Sequence, residues 1–324
     1  MPVTMRDVAK EAGVSIKTVS RVVNDQGEIA VATRERVLAV IDQLGYRPNM
    51  LARGLVTQRT YTIGLNVRDI TNPFFPEVAR GVQDMARAHN YNVFLCNSDD
   101  DPQEEIRTLQ TLADQSVDGV ITFPYLQSSV RMFAEPDRPF IVINNGMAHP
   151  HVSQVMTNNF EGAKLAVDHL AAKGHTEIAM ITSQYQEQSQ RVLGFQAGIK
   201  AHGLTTTRLW SGVPKFEQGF EATLQLLTEH PEISAIFAYN DLMAAGVIQA
   251  CKKLGRRVPD DCAIIGFDDI ALATLVDPPL TTVRLPKYKI GQMAMSRLLE
   301  MLEQPDYDFP PIHLDVELAV REST

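Results

Sequence analysis

An α/β protein with a small all-helical head, a short hinge and a two-lobed body of doubly wound parallel sheets is the fold class that three observations predict. Residues 4–44 carry helical apolar periods and no strand-like run. From Tyr61 onward, short β-branched runs alternate with helical segments, the pattern of parallel strands covered by helices on both faces. That alternation occurs twice, up to residue 157 and again from Asn158, and 324 residues are too many for one small core.

Composition bounds the class further. A chain with 44% hydrophobic and 21% charged residues has enough apolar surface to fold. Cys96, Cys251 and Cys262 form no C-x-x-C pair, which points away from a disulfide framework or thiolate metal site and towards a reducing cytoplasm. No signal-like apolar core follows a basic start, and no apolar run approaches the roughly 20 residues that span a bilayer. Export, membrane insertion, a metal and a cofactor are therefore not expected. The net charge of −9 hides an asymmetry: residues 1–58 hold eight Lys/Arg against six Asp/Glu, the remainder 22 against 33. A mildly basic head on an acidic body suggests that a polyanion would meet only the head.

In the head, Thr4 stands three residues before Asp7, the spacing of a capping box, and Val8 and Ala12 repeat at helical spacing until Gly13. Gly13-Val14 makes a tight turn, Ser15 caps a second helix, and Val19, Val22 and Val23 form its apolar face. Ile16, Lys17 and Arg21 then point outward. Helices joined by so short a turn cross steeply, and long donors beside an apolar side chain suit the phosphates, guanine edges and thymine methyls of a DNA major groove. An amphipathic hairpin with merely solvated charges fits the same spacing. A third helix is expected from Thr33, as its cap, to Leu44, with Val37, Leu38 and Ile41 on one face and Gly45 as the stop. After Pro48, "NMLARGLVTQRT" offers Leu51, Ala52 and Leu55 as a stripe broken by Gly54, which costs about 1 kcal/mol relative to alanine. This segment is expected to be a linker that becomes helical only when held.

In the body, "YTIGLNV", "YNVFLC", "DGVITF" and "FIVINN" read as strands of the first series, and "IAMIT", "AIFAYN" and "CAIIGF" as strands of the second. Ligands of open parallel sheets sit at the carboxyl ends of strands. There stand Asn72, Phe74 and Phe75 after the first strand, Asn240 and Asp241 after "AIFAY", and Asp268 and Asp269 after "AIIGF". Aromatic faces with Asp, Asn and Arg suit a buried polyol. Each residue also has a structural reading: Phe74 and Phe75 as core, Asn72-Pro73 as a helix start, and Asp241 and Asp269 as helix caps, the reading favoured for these two. The acidic "SDDDPQEE" reads as a helix start with Asp101 capping before Pro102.

"MRDVAKEAGVSIKTVSRVVN", "LGYRPNMLARGL", "NPFFPEVARGV", "AYNDLMAAGV", "IIGFDDI" and "PPLTTVRLP" together resemble the lactose-repressor/galactose-repressor (LacI/GalR) family over nearly the whole chain. The resemblance implies a helix-turn-helix DNA-binding domain over 1–47 and a hinge helix and linker over 48–60. It also implies a periplasmic-binding-protein-like core, with lobes over 61–157 plus 288–312 and over 158–287 plus 313–324. It assigns base reading to Ile16, Lys17 and Arg21, backbone contacts to Asn24, Asn49 and Arg53, a place at the DNA to Ala52, and a minor-groove wedge to Leu55. Arg191, Asn240 and Asp268, with Asn72, Phe74 and Phe75, would hold a small-molecule effector, a sugar.

The implied protein is a repressor that binds a palindromic operator as a homodimer, with residues 77–88 and 242–254 as candidate dimer faces. A dimer is favoured over a tetramer because no heptad helix follows the core. Two departures affect the pocket: Pro214 stands where many relatives carry an aromatic residue, and Leu285 where many carry Gln. Arg284 would compensate by favouring an acidic or phosphorylated sugar, or would serve the linker alone. A sugar-binding transport receptor would explain the lobes but not the head, and a purine stacked on Phe74 or Phe75 is the alternative effector. The motifs of phosphate-loop, nucleophile-elbow and zinc-protease enzymes do not occur, so catalysis is not expected.

Overall fold

Among the described residues, three helices make up the first of two units, residues 1–61 and 62–324, in a computed structural model that describes residues 3–23, 27–46, 59–183, 189–204, 207–212 and 214–324. Asn24, Asn49, Ala52, Arg53 and Leu55, and nearly all of the predicted hinge, lie outside the described residues.

The head contains α1 (Met5–Ala12), α2 (Ile16–Val23) and α3 (Val31–Leu44). The capping box forms as expected: the Asp7 carboxylate accepts from the Thr4 amide at 2.8 Å and its hydroxyl at 2.7 Å. Gly13 ends α1 at φ 64°, and the Thr18 amide donates to Ser15 Oγ at 3.1 Å to start α2. The third helix is capped three residues earlier than Thr33, at Ala30. The Ala30 carbonyl already accepts from the Thr33 and Arg34 amides, so Thr33 lies inside the first turn. Its buried face is also rotated: Val37 and Val40 are buried with Ile41 and Leu44 against them, whereas Leu38 is 45% exposed. Tyr46, just past the left-handed Gly45, closes the small core that Val8, Val19 and Val22 begin.

The body has the predicted α/β architecture, with two six-stranded sheets. The first comprises β1 (Thr62–Val67), β2 (Asn92–Asn97), β3 (Gly119–Thr122), β4 (Phe140–Ile143), β5 (Val152–Thr157) and β11 (Ile312–Leu314), in the order β11-β5-β4-β3-β1-β2 and entirely parallel. The helices α4 (Phe74–Ala88), α5 (Pro102–Asp114) and α6 (Gln127–Phe133) connect its strands. The second comprises β6 (Ile178–Ser183), β7 (Thr207–Gly212), β8 (Ala235–Ala238), β9 (Ala263–Asp268), β10 (Thr281–Arg284) and β12 (Glu317–Ala319), parallel except where β12 runs against β10. Its helices are α7 (Asn159–Ala172), α8 (Gln190–Ala201), α9 (Phe216–Glu229), α10 (Asp241–Lys253) and the short α11 (Leu272–Leu275).

After β10 the chain returns to the first lobe as α12 (Lys287–Glu303), which lies along α4. Glycines make the approach close: a Cβ at Gly81 would sit 2.1 Å from the Tyr288 carbonyl oxygen, and one at Gly291 2.0 Å from that of Val78. The last return to the second lobe follows residue 314 rather than 312, because His313 and Leu314 pair with Met156 and Thr157 in the first sheet. α10, offered above as a dimer face, is largely interior. Met243 to Ile248, Ala250 and Cys251 are buried in the second lobe, leaving Gln249, Lys252 and Lys253 exposed. Among the described residues, no helix is long and apolar enough to cross a membrane.

Candidate functional site

The carboxyl ends of β1, β3, β4, β8 and β9 converge on a cavity of about 410 Å³ between the two lobes. All six candidate residues, Asn72, Phe74, Phe75, Arg191, Asn240 and Asp268, line it.

On the first lobe, Asn72 Oδ1 accepts the Phe74 amide at 3.0 Å, so its side chain both starts α4 and borders the cavity. Phe74, Phe75 and Phe123 stand edge to face, with centroids 5.2, 5.9 and 5.1 Å apart. At 6% and 8% exposure, Phe74 and Phe75 satisfy the core and cavity readings together. Phe123, at the end of β3, supplies a third ring.

On the second lobe, Arg191 enters from the first turn of α8, which Ser189 caps. Its guanidinium pairs with Asp268 at 2.8 Å, donates to the Tyr239 carbonyl at 2.5 Å, and lies 3.8 Å over the Phe267 ring and 4.6 Å over that of Tyr239. Asp268, at φ 108°, is almost completely buried. Burial pushes its carboxyl up, while the charges of Arg191 and Lys287 pull it back. Asn240 caps α10 by accepting the Met243 amide at 2.9 Å and donates to the Pro214 carbonyl at 3.0 Å. Pro214 thus reaches the cavity through its backbone carbonyl and brings no aromatic ring to it.

Sequence reasoning missed the Arg68–Asp100 pair, 2.6 Å apart, with Arg68 4.9 Å over the Tyr125 ring; all three line the cavity. Arg68 follows β1 directly, a position that could have signalled it. Asp100 was hidden inside the capping run, where Asp101 does accept from the Gln103 and Glu104 amides.

Two expectations are corrected, and of the two readings of Arg284 the structural one fits. Asp241 is the first residue of α10 but does not cap it; fully buried, it accepts from Thr282 Oγ1 at 2.5 Å and the Ile270 amide at 2.8 Å, tying the β9 and β10 ends together. Asp269 is likewise no cap, but bridges Arg284 at 2.5 Å and Arg321 at 2.6 Å. Arg284 therefore faces Asp269 and Glu317 and does not line the cavity, while Leu285 is buried in the core.

Burial and then the charge of Asp268 push the Asp241 carboxyl well above the usual range. It stays protonated when folded at pH values where the unfolded chain has released that proton. Its contribution to stability therefore falls as pH rises from about 4 until folded Asp241 itself ionises. Asp241→Asn keeps an amide oxygen to accept from Ile270 and cannot ionise, so urea melts should show the variant gaining on the parent from pH 5 to pH 8. A constant difference between them would refute the protonated state.

On the head, Val19 and Val22 are buried, whereas Ile16 is 45% exposed and Lys17 and Arg21 are exposed. They share the outward face of α2.

Residues 4–49 match the model for bacterial regulatory proteins of the lacI family, and residues 167–324 that for a periplasmic binding protein-like domain. The chain is 35% identical to catabolite control protein A of Priestia megaterium, covering 100% of both sequences. It is 37% identical to the ribose operon repressor of Escherichia coli K12, covering 99% of both. Its fold matches the crystal structure of the lac repressor dimer bound to operator and the anti-inducer ONPF with TM-score 0.88 and 27% identity, covering 100% of this chain and 99% of the other.

Proposed function

The chain belongs to the lacI family of bacterial regulatory proteins, and we propose from this that it is a sequence-specific DNA-binding transcriptional repressor controlled by a small neutral sugar in its interlobe cleft. One observation carries the DNA-binding part: α2 buries Val19 and Val22 and leaves Ile16, Lys17 and Arg21 on its outer face, the donor and apolar set that reads a major groove. A homodimer on a palindromic operator, as in the related lac repressor dimer bound to operator, gives two heads one site each. Asn24, Asn49, Ala52 and Arg53 are proposed backbone-side contacts, and Leu55 the wedge that bends the duplex. A DNA partner makes the cytoplasm the place of action.

The effector class rests on charge. Arg68 is neutralised by Asp100 and Arg191 by Asp268, so a phosphate would meet each cation beside a carboxylate. A neutral polyol meets the same groups as directional donors and acceptors, with its C–H faces against the Phe74, Phe75 and Phe123 rings. The relative named for the ribose operon supports this class. A sugar touching both lobes favours one lobe arrangement, and the two heads then lose their joint grip on the operator.

The test pairs operator selection from randomised DNA with a thermal-shift screen of pentoses, hexoses and their phosphates. A neutral sugar at about 100 times its Kd should add about 2.7 kcal/mol of stability and alter operator retention. Selection of no DNA motif would reject the regulator reading; a larger shift with a sugar phosphate than with its parent sugar would reject the neutral effector.

A further inference from the structure

Lys287 opens α12, yet its ammonium is buried at 6% exposure and sits at a helix N-terminus, where the macrodipole disfavours a cation. A buried apolar side chain would serve stability as well or better, so the charge calls for a different explanation. Its partners supply one. Nζ donates to the Asp268 carbonyl at 2.9 Å and the Asp269 carbonyl at 2.7 Å, and lies 3.6 Å from Glu77 Oε2. The two carbonyls belong to the second lobe and Glu77 to the first.

Both carbonyls come from residues in the left-handed region, Asp268 at φ 108° and Asp269 at φ 53°, a conformation that non-glycine residues hold only when their surroundings enforce it. One ammonium gathers the two oxygens and so holds the turn that aims the Asp268 carboxylate at Arg191 and the cleft. Glu77 lies in the first turn of α4, three residues after Phe74 and two after Phe75, which form the cleft's opposite wall. Lys287 itself does not line the cavity. We infer that Lys287 is a positioning residue coupling the two walls of the cleft: a displacement of the Asp268–Asp269 turn in the second lobe is passed through its ammonium to Glu77 and the start of α4 in the first. A ligand drawing the walls together would act on the lobe arrangement through this contact as well as through its own.

Hydrogen–deuterium exchange on the full, ligand-free chain tests this without knowledge of the effector. Glu77→Gln changes a half-exposed side chain of the first lobe and leaves every backbone bond in place. It should raise exchange of the 269–271 amides, across in the second lobe, by about threefold, since local protection follows the opening equilibrium of the contacts that maintain it. Lys287→Met should raise exchange at both 269–271 and 75–79, Lys287→Arg should restore both, and the Lys287→Met/Glu77→Gln double variant should match Lys287→Met alone. Unchanged exchange at 269–271 in Glu77→Gln, or a Lys287→Met effect confined to 269–271, would reduce Lys287 to local support of one turn and overturn the coupling.

Discussion

Arg191→Ala should lower the stability of the body by about 3–5 kcal/mol and abolish stabilisation by the effector. The magnitude comes from the partner left behind: Asp268 is nearly inaccessible, and removing one member of a buried pair leaves the other charge uncompensated. The stacking of the guanidinium on Phe267 and Tyr239 and its bond to the Tyr239 carbonyl go with it. The loss also depends on pH. Without Arg191, the Asp268 carboxyl, already raised by burial, rises further. The folded variant then keeps a proton that the folded parent releases, and its deficit widens as pH increases past the point where the parent's own raised Asp268 ionises. Urea melts at pH 5 and pH 8 provide the check. A deficit below about 1 kcal/mol, or one unchanged with pH, would mean that Asp268 does not depend on this partner.

Gly291→Ala should cost the body about 3 kcal/mol. Alanine favours helix by about 1 kcal/mol over glycine, so an exposed site would gain. Here the new Cβ would stand 2.0 Å from the Val78 carbonyl oxygen and 2.8 Å from the Val82 amide, and backbone cannot swing aside as a side chain does. α12 and α4 must part, losing the packing of two long helices along their shared face. Gly146→Ala is the control, since a Cβ there meets nothing within 4 Å and its φ is not positive. Chemical denaturation should separate the two variants clearly; equal stability would show that the helix pair is compliant at this crossing.

The sequence revealed the alternation of strands and helices because buried parallel strands must be largely apolar, and β1, β3, β4, β8 and β9 are, with Asn66, Thr122 and Asp268 near the strand ends as the buried polar exceptions. It also revealed the residues that follow those strands, since open sheets place ligands there. Partner choice was not legible. Asp241 and Asp269 occupy positions where acids commonly cap helices, and only the fold brings Thr282 to the one and Arg321 to the other. Arg284 looked available for a ligand because nothing local pairs with it; its partners lie 15 and 33 residues away. Lys287 was silent for the same reason, being one more lysine at the start of an amphipathic run until β9 passes beside it. In the head, the period of α3 was legible but its phase was not: Val40 rather than Leu38 joins Val37 in the core shared with α1, α2 and Tyr46.

The strand at 312–314 has a consequence for how the protein is made. It is the edge of the first sheet, and α12 lies along α4 of the same lobe, yet both are translated after β6 to β10 of the second sheet. On the ribosome, the lobe begun at residue 62 must wait with one edge and one helix face uncovered until residue 314 has emerged, whereas the head has all its core residues by Tyr46. The nascent body should therefore be the part that engages holding chaperones, and interrupting synthesis between β5 and α12 should leave a folded head attached to an unfinished body.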